Sequence, residues 1–309
     1  MPANRGPLAF ASAAVAIAVA GALALGYLTR PTGHARFVPA ANLAAISAHD
    51  TNGLTRQLET LGLLDAVKQG TLKSVPRIGL SSMPPSWQAL GDSDKRKRLF
   101  IAAVLPLVLA ANENIADDRA RLLAMAERSS RLSSRERIWL AETARRYRTD
   151  PDDWKRLLRR VDEVPASLAV AQAAIESGWG TSRFARQGNA LFGQWTWGGK
   201  GIKPKEQRED LGDYAIAAFD TPLQSVQAYI LNLNSHPAYA ELRQRRADMR
   251  TAGEELSGHR LAETLTSYSE RGEEYVKSLH TIMRVNKLDA TDEAVLADGP
   301  VWQVYPARN

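Results

Sequence analysis

The 309-residue chain contains no cysteine. That removes disulfide staples, a cysteine nucleophile and every thiolate metal site. It leaves the redox compartment open, because a chain without thiols suits an oxidising space without requiring one. Strand signals are few. Beyond the N-terminal span there is no low-complexity tract and no convincing internal repeat. No His-Glu-x-x-His, Gly-x-Ser-x-Gly or phosphate-loop pattern occurs, so metalloprotease, esterase and nucleotide-hydrolase readings lack support. A large excess of one charge is missing too: 40 Lys+Arg face 34 Asp+Glu, for a net charge of +6. The basic residues are scattered and match no binding motif, so no nucleic-acid partner is expected. What remains is ordinary globular composition, 44% hydrophobic and 24% charged, which excludes wholesale disorder. The length suffices for one large domain or two small ones.

One long hydrophobic run is present. Leu8 to Leu28 carries no charge; Ser12 interrupts it, Arg5 precedes it, and Arg30 and Arg36 follow. About 20 apolar residues cross a bilayer core as a helix, whereas a secretory signal has roughly 7–15 before its cleavage site. A transmembrane signal-anchor over residues 1–30 is therefore favoured, although Ala22-Leu23-Ala24 would also suit a signal peptidase. A core helix at the extreme N-terminus is the bland alternative. Arginine on both sides leaves the orientation ambiguous. On either account the rest is expected outside the cytoplasm: on a bacterial inner membrane facing the periplasm, or exported if the signal is cleaved.

Residues 31–94 are mixed and weakly periodic, punctuated by Pro76, Pro84 and Pro85, and read as a linker or variable region. Lys95-Arg96-Lys97-Arg98 then opens a helical extension over 95–160. The basic run is expected on a solvated helix face. Leu99 to Leu109 contains Pro106 and is too short to span a bilayer, so it reads as a packed, kinked helix. Ser133-x-x-Glu136 has capping-box spacing, and Asp150-Pro151 marks another start. The catalytic domain is placed at 161–290 and a tail at 291–309. Within that domain, Gly198 to Asp213 interrupts the helices and has room for a small hairpin. Thr221-Pro222-Leu223-Gln224 begins a helix. A last helix covers about Glu273 to Asn286, with Tyr275, Leu279, Ile282 and Met283 on one face.

The chemistry concentrates between Val164 and Trp197. Leu168, Ala171 and Ile175 recur at helical spacing, and Ser177-Gly178 permits a stop. Glu176 therefore lies at a helix C-terminus. The negative end of the helix dipole and apolar neighbours both disfavour its charge and raise its pKa, as a general acid requires. The competing account is an exposed glutamate in an ordinary last turn. Trp179, Phe184, Phe192, Trp195 and Trp197 then fall within 19 residues, interleaved with Asn189 and Gln194. Ring faces and amides in such density suit a sugar platform. A loop whose aromatics pack into the core is the alternative, above all for Phe184 and Phe192.

At these residues a family resemblance appears. Leu168-Ala-Val-Ala-Gln-Ala-Ala-Ile-Glu-Ser-Gly-Trp-Gly-Thr-Ser followed by Gly188-Asn-Ala-Leu-Phe-Gly-Gln resembles the signature of bacterial endo-β-N-acetylglucosaminidases. The match is nearest to the Bax-type branch, through Phe192-Gly-Gln-Trp, Phe219-Asp-Thr-Pro, His236-Pro-Ala-Tyr and Tyr268-Ser-Glu-Arg-Gly, and covers roughly Lys95 to Leu288. The resemblance implies a mainly α, lysozyme-like fold: a helical lobe with a small β-hairpin lobe, here preceded by the N-terminal transmembrane helix. It carries the family's catalytic acid onto Glu176. A second acidic group on the β-lobe falls on Glu206 by spacing or on Glu209 by its neighbours, with Asp210 and Asp213 still open. A tyrosine near the cleft carries over to Tyr268. The candidates for substrate contact are Trp179, Asn189, Phe192, Gln194, Trp195 and Trp197. Ala190, Thr196 and Gly199 depart from residues common in relatives and bear on loop rigidity.

The implied reaction is hydrolysis of β-1,4 bonds of N-acetylglucosamine in peptidoglycan glycan strands, with no metal or other cofactor. Glu176 protonates the glycosidic oxygen; capture is by water on a β-lobe carboxylate or by the substrate's acetamido oxygen. A lytic transglycosylase and a non-catalytic, membrane-anchored wall-binding protein are the competing readings.

Overall fold

A computed structural model describes residues 43–47, 50–198, 200–205 and 212–305. The apolar run Leu8 to Leu28 lies outside them. In chain order, strand β1 (Leu43–Ser47) is followed by helices α1 (Thr51–Thr60) and α2 (Leu63–Gln69), strands β2 (Ser74–Val75) and β3 (Ile78–Leu80), and a 3-10 turn at Pro85–Ala89. The long helix α3 (Ser93–Ala126) leads into α4 (Ser134–Arg146) and α5 (Trp154–Arg160). Helices α6 (Ala166–Ser177) and α7 (Arg183–Gly188) precede a small sheet of β4 (Trp195–Thr196), β5 (Gly201–Ile202) and β6 (Ala215–Ala217). Four helices follow: α8 (Pro222–Ser235), α9 (Ala240–Thr251), α10 (Gly258–Ala262) and α11 (Glu273–Val285). Strands β7 (Val295–Leu296) and β8 (Val301–Tyr305) close the described chain.

Local chemistry sets many of these boundaries. Ser133 and Glu136 form the reciprocal capping box that starts α4. Thr221 accepts from the Gln224 backbone at the start of α8, with Pro222 in the first turn. The Asp92 carboxylate accepts from the Asp94 and Lys95 backbone N–H groups, so α3 begins at Ser93. Likewise Asp153, rather than Asp150-Pro151, caps α5. Helix α3 is long and apolar enough to cross a membrane, yet 72% of its most apolar window is buried within the protein. Its residues Leu99 to Leu109 are core, packed against α6 and α8. Here a run of apolar residues signals a helix buried on all sides.

The segment expected as a linker is folded from Asp50 onward. Leu54, Leu58, Leu63, Val75, Leu80, Met83 and Trp87 belong to the same continuous core as α3, α6, α8 and α11. Strand β8 lies between β1 and β3, parallel to both, and β2 pairs parallel with β7. The expected tail 291–309 therefore supplies a central strand, and the chain closes on itself. Arg77 locks this closure: it donates to Glu113 of α3 at 2.7 and 2.6 Å and to the Ala297 carbonyl at 3.0 Å. Short strands and three prolines hid this order from periodicity, because pairing across more than 200 residues leaves no local trace.

A second, smaller core joins the later half of α3 to α4 and α5 around Leu122, Met125, Leu140 and Leu157. Its junction with the main body is the buried Asp162. Arg250 donates to both Asp162 oxygens, at 3.0 and 2.7 Å, while Arg119 and Arg246 lie at 3.6 and 3.5 Å. Buried Arg246 also donates to the Asp162, Glu163 and Arg159 carbonyls. The chain entering α6 is thereby fixed. The hairpin expected near Gly198 to Asp213 is a three-stranded antiparallel sheet ordered β4-β6-β5. The mainly helical body with its small antiparallel sheet agrees with the helical and β-lobe parts of the expected fold class, while the expected N-terminal transmembrane helix lies outside the described residues.

Candidate active site

Helix α6 ends at Ser177, one residue after Glu176. Gly178, Trp179 and Gly180 then take three successive left-handed conformations, φ 57°, 57° and 78°. Glycine accepts that region freely, but tryptophan does so at a cost of about 1–2 kcal/mol. Several contacts hold Trp179 there. Its N–H donates to the Ala174 carbonyl at 2.8 Å, and its carbonyl accepts from the Trp87 indole at 2.8 Å. Its ring meets Phe100 edge-on at 5.7 Å. Gly180 packs so closely that an added Cβ would lie 2.8 Å from the Trp87 indole nitrogen and 2.9 Å from the Met83 methyl. Such over-determined strain is characteristic of functional sites.

Glu176 is partly buried, and its two oxygens differ. Oε1 accepts from the Tyr275 hydroxyl at 2.8 Å. Oε2 is buried without a hydrogen-bond partner. Burial pushes the carboxyl up from 4.5 to about 7, against the lowering effects of the Tyr275 hydrogen bond and the Arg271 charge. A carboxyl that holds its proton near neutrality and keeps one oxygen free is suited to general-acid chemistry.

Behind it runs a buried polar chain. Gln172, one turn earlier on α6, donates from Nε2 to the Tyr275 oxygen at 2.9 Å and accepts at Oε1 from Tyr229 at 2.6 Å. Tyr275 was legible only as part of an apolar helix face, and Tyr229 and Gln172 were not singled out. The one available signal was the four-residue spacing of Gln172 and Glu176, which puts them on one side of α6. Tyr268, carried over as a cleft residue, is 3% exposed; its ring stacks on Tyr275 at 5.4 Å and packs against Tyr239 at 5.8 Å. The structure thus gives it a place behind Tyr275.

The expected sugar platform divides. Phe192 is 2% exposed and stacks on Tyr229 at 3.9 Å, so it is a core residue rather than a substrate contact. Asn189 is also buried, and its amide is occupied by main chain. Oδ1 accepts from Met83 at 3.4 Å, and Nδ2 donates to the Phe219 and Asp220 carbonyls at 3.1 and 3.2 Å. This clamp joins the 3-10 turn region, the end of α7 and the strand leading to α8. Asn189 thus serves the fold through both ends of its amide, which leaves it little hydrogen-bonding capacity for a ligand. Trp195 stacks on Tyr214 at 4.8 Å and meets Trp197 edge-on at 5.9 Å, with Trp197 38% exposed. Trp195 and Trp197 form an aromatic surface on the small sheet, with the buried Tyr214 ring behind them. Trp179 is half-buried, with the Lys97 ammonium 5.9 Å from its ring centre. Gln194 keeps a buried Oε1 without a partner. Glu206, Glu209 and Asp210 lie outside the described residues, and Asp213 pairs with Lys203 at 2.8 Å on the surface. Among the described residues no group of three or more His, Asp or Glu is gathered to hold a metal ion.

Residues 135–288 match the glucosaminidase family model, described as mannosyl-glycoprotein endo-beta-N-acetylglucosaminidase. The protein bax of Escherichia coli (strain K12) is 33% identical over 213 residues, which are 67% of this chain and 76% of that protein. Among solved structures, the catalytic domain of the autolysin Auto from Listeria monocytogenes is similar over 66% of this chain and 92% of that one, with 16% identity and a TM-score of 0.38.

Proposed function

The chain belongs to the glucosaminidase family, and from that premise we propose that it is a peptidoglycan hydrolase cleaving β-1,4 bonds of N-acetylglucosamine, with Glu176 as general acid. The observation that carries this reading is the Glu176 carboxyl itself. It ends a buried helix, holds its proton near neutral pH, and leaves Oε2 unpartnered. Once substrate reaches this buried, unpaired oxygen, the carboxyl delivers a proton to the glycosidic oxygen as the bond to the anomeric carbon lengthens. The oxocarbenium-like centre is then captured by water activated on a β-lobe carboxylate, or by the substrate's acetamido oxygen. Trp195 and Trp197, backed by the buried Tyr214, supply ring faces for the CH faces of the glycan.

We place this activity outside the cytoplasm, in the periplasm at the inner membrane. The uncharged run Leu8 to Leu28 supports that placement, and the absence of cysteine is compatible with it. Membrane-fraction recovery after carbonate washing checks the anchor. Digestion of purified peptidoglycan followed by mass spectrometry checks the reaction. Products with a reducing-end N-acetylglucosamine are expected. Anhydromuramic ends would instead make the protein a lytic transglycosylase, and no released product would leave a wall-binding role.

A further inference from the structure

The carboxamide of Gln172 sits between two tyrosine hydroxyls in the interior, and only one of its two ends can donate. We propose that Gln172 is a positioning residue that directs the Tyr275 proton onto Glu176 Oε1 and so reserves Oε2 for the proton delivered to substrate. This inference rests on the reading of Glu176 as the general acid. Gln172, Tyr229 and Tyr275 act through Glu176, and no contact with substrate is assigned to them.

The argument follows from donor counting. A tyrosine hydroxyl has one proton. Tyr275 lies 2.8 Å from Glu176 Oε1 and 2.9 Å from Gln172 Nε2. The amide nitrogen has no acceptor capacity, so the Tyr275 oxygen must accept from it. Its proton is then committed to Oε1. Inverting the amide would offer Tyr275 a second acceptor, and its proton could turn away from the carboxyl. The Tyr229 hydroxyl, 2.6 Å from Gln172 Oε1, opposes that inversion by supplying the donor the carbonyl end needs. With Oε1 already accepting, the acid proton of Glu176 resides on Oε2, the oxygen with no protein partner. Packing holds the relay rigid: Phe192 stacks on Tyr229, and Tyr268 stacks on Tyr275. The groups that act on the carboxyl are the Tyr275 hydroxyl on α11 and the Arg271 charge ahead of α11, both lowering its pKa against burial, while the neighbouring Tyr229, Tyr239 and Tyr268 are phenols that stay neutral in this range.

The test uses the full chain with Gln172→Glu, Tyr275→Phe and Tyr229→Phe. The Glu176 titration is read without substrate, by infrared spectroscopy of the protonated carboxyl band that disappears in Glu176→Gln. The kcat and KM on purified peptidoglycan are then followed against pH. Tyr275→Phe keeps the ring stacking and removes the donor, so the titration is expected to rise by ~1 pH unit. Gln172→Glu provides an acceptor that draws the Tyr275 proton away, and the titration rises again. Tyr229→Phe acts one step further back and shifts it in the same direction by less. In each folded variant the basic limb of kcat moves up with the titration while KM holds, because a general acid must keep its proton. A merely structural role lowers kcat without moving that limb. Unmoved titration in Tyr275→Phe overturns the relay even if Gln172→Glu fails to fold. Activity retained by Glu176→Gln overturns the general-acid reading and the proposal with it. Loss of that activity with unmoved titrations overturns the relay alone.

Discussion

The two ends of α6 each meet a desolvated carboxyl, and they are treated in opposite ways. At the N-terminal end, Asp292 accepts from Ser167 N–H at 2.9 Å, from the Ser167 hydroxyl at 2.9 Å and from Gly258 N–H at 2.8 Å. At the C-terminal end, Glu176 accepts from Tyr275 and leaves Oε2 alone. Burial raises both, Asp292 to about 6 and Glu176 to about 7. One carboxyl sits on the positive pole of a helix with its lone pairs occupied; the other sits on the negative pole with an oxygen unused. The first arrangement fastens two helix starts together. The second leaves an unmet hydrogen bond at a helix end, which is what the proposed general acid requires. A raised pKa is shared by both carboxyls; the pairing of their oxygens is what separates them.

The sharpest way to break this comparison is to neutralise each carboxyl. Glu176→Gln is expected to lower kcat on purified peptidoglycan by about 10²–10⁴-fold, whereas Asp292→Asn stays within about threefold once folded. A large loss in Asp292→Asn would erase the distinction. Next in size is the buttress behind the strained turn. Trp87→Ala is expected to cost about 3–5 kcal/mol in urea unfolding. Trp87→Phe keeps most of the packing and removes the bond to the Trp179 carbonyl, for about 1 kcal/mol and a measurable fall in kcat. Asp292→Ala strands two N–H groups and a hydroxyl, and is expected to destabilise by about 1–3 kcal/mol in the same unfolding measurement.

The smallest effect tests the sign of the Glu176 shift. Its folded pKa of about 7 exceeds its ordinary 4.5, so between these values the native state binds more protons than the unfolded one. The stabilisation is complete below pH 4.5 and is lost as pH rises through 7. Glu176→Gln should therefore melt about 2 °C above the parent at pH 8, in a series of melting temperatures against pH. A lower melting temperature at pH 8 would show that the free oxygen carries no penalty.

Local legibility was uneven for physical reasons. The cap of α8 at Thr221, the capping box of Ser133 and the stop at Gly178 all depend on groups within four residues, and each was readable. The place of Glu176 at the end of α6 was readable because Ser177-Gly178 stops the helix just after it. That Asn189 and Phe192 are committed to neighbours within the protein was not readable, because residue type states what a side chain offers, not which partners have already taken it. The segment around Trp87 was passed over because its order comes from parallel strands paired across the whole chain.

Sequence by itself determined the helical architecture, the position of Glu176 at the end of α6 and the resemblance that names its chemistry. These are local properties of short windows. Only the tertiary structure decided that Tyr275, 99 residues away, reaches Glu176, that Gln172 donates to the Tyr275 oxygen, and that Trp87 braces the turn beside it. Desolvation and hydrogen-bond direction belong to whatever surrounds a group in space, and neighbours along the chain do not encode them.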